Sequence, residues 1–296
     1  MSKFIFISKA IKEVGIRRAL QEYRNRRSMA WNDALWKWVQ NRNHSYTWIP
    51  EKQWTRFKTS NTIFLFGSGP SINEITPEQW NVIQSHDSMG LNFSFLTCRP
   101  MTFYYLGYEP GSTDNTLLVF DEKIREVYKN SLWFVPNKVL FRLYHPRLLP
   151  GLFPPNPQLA RFSIPLSIEL ETDRPFRKED FVKTLTYRGV MGVGLHLADL
   201  LGYQKIVLMG VDLHTYKHFF DDFETTQKER RTKYNAKMAP GKVFESMIPK
   251  GNKFRRMDEY YYAISQLYFQ AKEVELYVGN PNNILSPQIS LYPSFV

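Results

Sequence analysis

Thr62-Ile63-Phe64-Leu65-Phe66-Gly67-Ser68-Gly69-Pro70-Ser71 runs from a β-prone apolar stretch straight into a turn of glycine, serine and proline. A short apolar run bounded by turn residues reads as a strand buried on both faces. A glycine-rich turn that leaves a parallel strand for a helix aims backbone N–H groups at an anion above the sheet. Gly67 and Gly69 permit close approach, Pro70 suits a helix start, and Ser71 adds a hydroxyl. The turn is not a Walker loop, because no Gly-Lys-Ser/Thr ending follows. Nor is it G-x-G-x-x-G, since Ile72 stands at the third glycine position. A purely structural tight turn is the competing reading.

Downstream, the pattern alternates. It predicts a short helix over 77–84, strands over 87–92, 101–106 and 132–136, and a helix over 192–201. A strand over 205–210, a tyrosine-rich helix over 257–271 and a last strand over 274–279 follow. The proline-rich stretch 142–180 reads as irregular, an inserted loop. Strands alternating with helices imply an α/β fold, Rossmann-like and doubly wound, with a mainly parallel sheet. There is no internal repeat. Residues 61–296 form this domain, and residues 1–60 a helical N-terminal extension.

That extension differs in composition. Residues 1–60 hold five of the seven tryptophans and 13 Lys and Arg against 4 Asp and Glu. A second basic zone, 228–256, holds 10 against 2, and the rest of the chain is net acidic. A nucleic-acid protein spreads its basic residues over the recognition domain itself, so two separate zones point instead to an anionic membrane surface or a phosphate-bearing ligand. Phe4, Ile7, Ile11 and Val14 share one helix face, with Lys12, Arg17 and Arg18 around it. Two compatible readings follow: tryptophans packing on the main domain, or an interfacial helix with aromatic anchors. Residues 228–256 read either as a lid carrying cations to phosphate or as a solvated loop.

The lone Cys98 excludes an internal disulfide and a cysteine-rich zinc site. No apolar run approaches the roughly 18–20 residues of a membrane span. The expectation is a cytoplasmic protein, with peripheral attachment to the inner membrane face through residues 1–60. A homo-oligomer is compatible with all of this.

Met209-Gly210-Val211-Asp212-Leu213-His214 closes the strand over 205–210, so Gly210, Asp212 and His214 fall on the same sheet rim as Gly67–Ser71. Asp212 either binds a ribose or substrate hydroxyl or caps its own loop. His214 and His218 flank Tyr216 and precede Asp221 and Asp222. A metal site is disfavoured, because no helical His-x-x-x-His with a zincin glutamate is present. General acid/base chemistry suits histidines that titrate near neutrality, and a packing role is the alternative for each.

Together these landmarks resemble the bacterial sialyltransferases of glycosyltransferase family 42 and the related domain of motility-associated transferases and pterin diphosphokinase-like proteins. The segments that carry the resemblance are IFLFGSGPSINEI (63–75), Asn92 in GLNFSF, YRGVMGVGLHLADLLGYQKIVLMGVDLH (187–214) and GNPNNILSP (279–287). The resemblance implies an inverting, metal-independent transfer of a sugar from a CMP-linked nucleotide-sugar donor. Sialic acid or another nonulosonic acid would pass to a glycan or lipid-linked acceptor, with no cofactor. It implies donor contacts from Gly67, Ser68, Gly69, Pro70, Ser71, Asn92, Arg188, Gly189, Gly210 and Asp212. Ser68 replaces the family's asparagine, His214 and His218 fall near its two leaving-group tyrosines, and Lys253 falls near its lid histidine. Two rivals are a diphosphokinase-like enzyme holding Mg²⁺ through Asp212, Asp221 and Asp222, and a non-enzymatic module binding membranes or nucleic acid.

Overall fold

The computed structural model describes residues 47–107, 122–136, 156–162, 177–183, 189–213, 218–220 and 256–295. Among the described residues, eight strands form one sheet: β1 (Thr47–Ile49), β2 (Thr62–Phe66), β3 (Asp87–Leu91), β4 (Phe103–Tyr105), β5 (Leu132–Pro136), β6 (Gln158–Phe162), β7 (Lys205–Met209) and β8 (Glu275–Val278). Their order is β1-β6-β5-β4-β3-β2-β7-β8, and every neighbouring pair is parallel. The helices are α1 (Pro77–Gln84), α2 (Glu122–Val127), α3 (Lys178–Lys183), α4 (Met191–Leu200) and α5 (Met257–Ile264).

An all-parallel sheet needs cover on both faces, and strict alternation along each strand supplies it. Ile63, Leu65, Leu91, Phe134 and Leu208 face α4 and α5, while Phe64, Phe66, Tyr104, Trp133 and Val207 face α1 and α2. Burying each such side chain stabilises the fold by about 1.5–3 kcal/mol. The doubly wound reading is therefore what the chain forms. α1 starts where a Thr76–Gln79 capping box satisfies its first N–H groups and Pro77 presets its φ.

Three local expectations are corrected. β6 lies inside 142–180, the stretch read as irregular, and fills the gap between β1 and β5. β1 lies within residues 1–60, so that segment contributes an edge strand. Trp54, 4% exposed, donates its indole N–H to Ile49 O and packs edge-on against Phe134. Here the packing reading of a tryptophan holds; Trp31, Trp36 and Trp38, like the rest of 1–46, lie outside the described residues. Last, the helix read over 257–271 is α5 followed by a wide π turn (Ser265–Phe269) and a 3₁₀ turn (Gln270–Lys272).

Three features bear on stability. At the amino rim, the buried Asp87 carboxylate accepts from Thr59 N–H (2.8 Å), Thr59 Oγ1 (2.7 Å), Ser60 N–H (3.0 Å), Thr102 Oγ1 (3.3 Å) and Tyr203 Oη (2.7 Å). It thus ties together the chain entering β2, β4 and β7. On α4, His196 packs against Phe162 and Phe181, and its Nδ1 is buried without a hydrogen bond. Desolvation lowers its pKa; Lys272 adds to that and Asp199 opposes it. At the outer edge, Val278 N–H donates to Ser290 O and Tyr292 N–H to Val278 O, so the following segment seals β8.

Candidate active site

α1, which follows β2, covers one face, and α5, which follows β7, covers the other. The strand order reverses between β2 and β7, so their carboxyl ends mark the crevice where open α/β sheets bind ligands. Here the two loops stay zipped beyond the strands. Gly67 N–H donates to Met209 O (2.8 Å), Gly69 N–H to Gly210 O (2.9 Å) and Ser71 N–H to Asp212 Oδ2 (2.7 Å).

This geometry corrects how the glycine turn was expected to act. A Cβ on Gly67 would lie 2.5 Å from Gly210 O, and one on Gly69 would lie 2.3 Å from Asp212 Oδ2. Gly69 has an ordinary φ of −69°, so space and not conformation demands glycine there. Gly210, at φ 62°, needs glycine for its left-handed backbone. The N–H groups of Gly67, Gly69 and Ser71 therefore face inward, not toward an anion. Ser68 N–H, which has no described partner, and the two serine hydroxyls are what the turn still offers. Pro70 opens a short 3₁₀ turn (Pro70–Glu74), and Asp212, 8% exposed, holds the junction together.

Beside this ridge stands Asn92, directly after β3. Its φ of 51° is left-handed, a region asparagine enters more readily than most residues. Its Oδ1 is buried with no hydrogen-bond partner, beside Gly107, where an added Cβ would lie 2.7 Å from that oxygen. Leaving a buried acceptor unpaired costs about 1–3 kcal/mol. Gly189 is exposed with nothing within 4 Å of an added Cβ; Arg188 lies outside the described residues.

The chain after β7 returns over the glycine turn. Phe219 N–H donates to Ser68 O (3.0 Å), and Asn73 Nδ2 donates to Phe219 O (2.6 Å). Phe220 packs on Phe93, next to Asn92, and the half-buried His218 ring stacks on Phe220 at 5.2 Å and 10°. The structure thus brings His218 to the glycine turn. His214, Asp221 and Asp222 lie outside the described residues, as does the basic zone apart from Arg256, which pairs with Asp258.

On the other side of the ridge lies a cleft of about 130 Å³ that the sequence reading missed. Ser71 and Gly210 form its inner wall, with Glu74 and Gln79 on one flank and Asn280 and Asn282 on the other. Asn280 Nδ2 donates to Glu74 Oε2 across the cleft at 2.7 Å. The asparagines of GNPNN directly after a strand were the available signal, since strand-end loops share one rim.

No protein-family model matches the chain, and no curated protein matches it either. Among solved structures, the chain is similar to the monofunctional α-2,3-sialyltransferase Cst-I from Campylobacter jejuni. Identity there is 16% and the TM-score 0.48, over 80% of this chain and 82% of that one. It is also similar to a tyrosine-to-phenylalanine variant of the Campylobacter sialyltransferase Cst-II in complex with CMP, at 15% identity and a TM-score of 0.47, over 80% of this chain and 87% of that one.

Proposed function

We propose that the chain is a glycosyltransferase that moves a sialic acid or another nonulosonic acid from a CMP-linked donor to a glycan or lipid-linked acceptor. The observation that carries the reading is the buried, unpaired Oδ1 of Asn92 beside the β2–β7 crevice. It is an acceptor held ready at a strand end, on the residue that the sequence resemblance assigns to the nucleotide. The donor phosphate lies above Gly67–Ser71 and takes the N–H of Ser68. In the transfer, the acceptor hydroxyl oxygen bonds to the anomeric carbon while the bond from that carbon to the phosphate oxygen breaks. CMP leaves with the electron pair, and a base takes the hydroxyl proton. His218, docked at the same turn, stabilises the departing phosphate when protonated or serves as that base; His214 is the second candidate.

A thermal-shift panel of CMP, CMP-sialic acid, UDP-sugars, GDP-sugars and ATP with Mg²⁺ tests this. A ligand at about 100 times its dissociation constant stabilises the fold by about 2.7 kcal/mol. The expected result is a shift with the cytidine ligands, smaller in Asn92→Ala, together with slow CMP release from the donor. A shift with ATP and Mg²⁺ alone would overturn the proposal in favour of phosphoryl transfer.

A further inference from the structure

A titratable cluster lies where α3 and the turns after α5 pack over α4. α3 has six residues, well short of the roughly 12–15 at which a helix holds in water by itself, so it stays helical only while docked. Its anchor is Phe181, which is fully buried. The wide π turn sets the consecutive Tyr268 and Phe269 against that ring, at 4.4 Å and 5.6 Å between centroids. His196 meets it edge-on at 6.1 Å, and Phe162 of β6 lies 5.8 Å from the same imidazole. His196 Nδ1 is buried among these rings with no hydrogen bond. Asp199, one turn along α4, is already engaged. Lys272 Nζ donates to its Oδ1 at 2.7 Å and to its Oδ2 at 2.8 Å, and Tyr268 Oη donates to Oδ2 at 2.8 Å. From α3, Asp180 turns a carboxylate oxygen to its own helix start, accepting from Arg177 N–H at 2.9 Å. Arg161 of β6 falls on the other face of the sheet from Phe162. A neutral imidazole fits this place. An imidazolium does not, because both its nitrogens donate and Nδ1 has no acceptor.

We infer that α3 is a pH-sensitive latch: protonation of His196 undocks Phe181, and α3 melts away from α4 while the sheet stays folded. Lifting Phe181 admits water to the charged ring at the loss of one short helix. In the docked state burial and the nearby Lys272 charge hold the histidine's pKa down, with Asp199 opposing them. Once solvated, the ring returns to about 6.5. The docked form is therefore favoured above that value, and release grows as pH falls through it. The same step slackens residues 184–190, which join α3 to α4 and include Arg188 and Gly189, the donor contacts that the resemblance assigns. That consequence for the donor rests on the proposed function; the release of α3 does not.

Native-state hydrogen exchange of the whole chain, without ligand, at pH 7.5 and pH 5.5 tests the latch. Each amide is referred to its own unstructured rate at that pH. The amides of 179–183 are expected to be protected about 10-fold or more below those of 206–208 in β7 at either pH, the mark of a separate local opening. Between the two pH values a solvated histidine of pKa about 6.5 favours the open form by up to about 10-fold. The protection of α3 should therefore fall by about 3- to 10-fold. His196→Gln and His196→Phe take up no proton, and in both the fall should vanish; two variants are used so that one that fails to fold does not decide the matter. A fall of less than about twofold in the unmodified chain overturns the inference. So does an equal fall in the folded variants. Equal protection of α3 and β7 also overturns it, since α3 then opens only with the whole fold. No donor is added, so each of these outcomes leaves the proposed function standing.

Discussion

Replacing Gly69 by alanine tests whether the glycines of the turn serve the junction between the two loops. The new Cβ would lie 2.3 Å from Asp212 Oδ2, 2.7 Å from its Cγ and 2.8 Å from its Cβ. More than one ångström of separation has to be found, and Asp212 is buried. Overpacking of this kind costs about 1–3 kcal/mol. Displacing the carboxylate also breaks its bond from Ser71 N–H, a further ~1.5–3 kcal/mol for a bond to a charged group. Against this, stiffening the unfolded chain returns about 0.4–1 kcal/mol, because φ at Gly69 suits any residue. The net expectation is a loss of about 2–5 kcal/mol, a large share of a typical total of about 5–15 kcal/mol. Urea unfolding followed by circular dichroism measures it. Gly189→Ala is the control, since nothing lies within 4 Å of its Cβ, and it should move stability by less than about 0.5 kcal/mol. In an Asp212→Ala background the cost of Gly69→Ala should shrink by about 1 kcal/mol or more, as expected for directly touching residues. If Gly69→Ala unfolds at the same midpoint as Gly189→Ala, the junction does not have the tightness described.

Asp87→Ala should cost about 3 kcal/mol in the same assay, because it strands the buried Tyr203 hydroxyl and removes the shared acceptor of the part-buried bonds from Thr59 and Ser60; a loss below 1 kcal/mol would contradict that. His196 holds its proton more weakly folded than unfolded. Its contribution is therefore complete above the ordinary histidine value of about 6.5 and is lost as pH falls below it. The urea midpoint should drop between pH 7 and pH 5, and His196→Gln should flatten that drop. Removing residues 1–46, which leaves β1 in place, should abolish flotation with vesicles rich in anionic lipid; equal flotation of both chains would show that the segment serves another purpose.

The strands and helix whose signal is local were readable residue by residue. The runs at 62–66 and 132–136 and the capped helix at 77–84 have the bounds the structure gives them. β6 was not readable, because Gln158 and Arg161 break its apolar run and Pro154, Pro155 and Pro157 precede it as turn signals. It becomes a strand only because β1 and β5 pair with it on either side. β1, at three residues, is shorter than any periodicity can register. In the site, the turn and the β7 end were legible as strand ends on one rim, while Asn92 was singled out only by the family resemblance. Which atoms face inward was not, since the partner of Ser71 N–H lies 141 residues away. The Glu74–Asn280 bond spans 206 residues, and no short-range pattern announces it.

The central position of β2 has a consequence for synthesis. One of its neighbours, β3, follows closely, but the other, β7, is made only when residues 205–209 have been translated. At about 5–20 residues per second, the ribosome takes roughly 7–30 s to cover that interval. Throughout it, a strand whose Ile63–Phe66 side chains are destined for full burial presents a bare backbone edge, the kind of edge that recruits other chains. Nascent chains arrested before Lys205 should therefore collect in the insoluble fraction or on chaperones, while those arrested after Val278 escape. The strand that opens the reading of this sequence is among the last to find both of its partners.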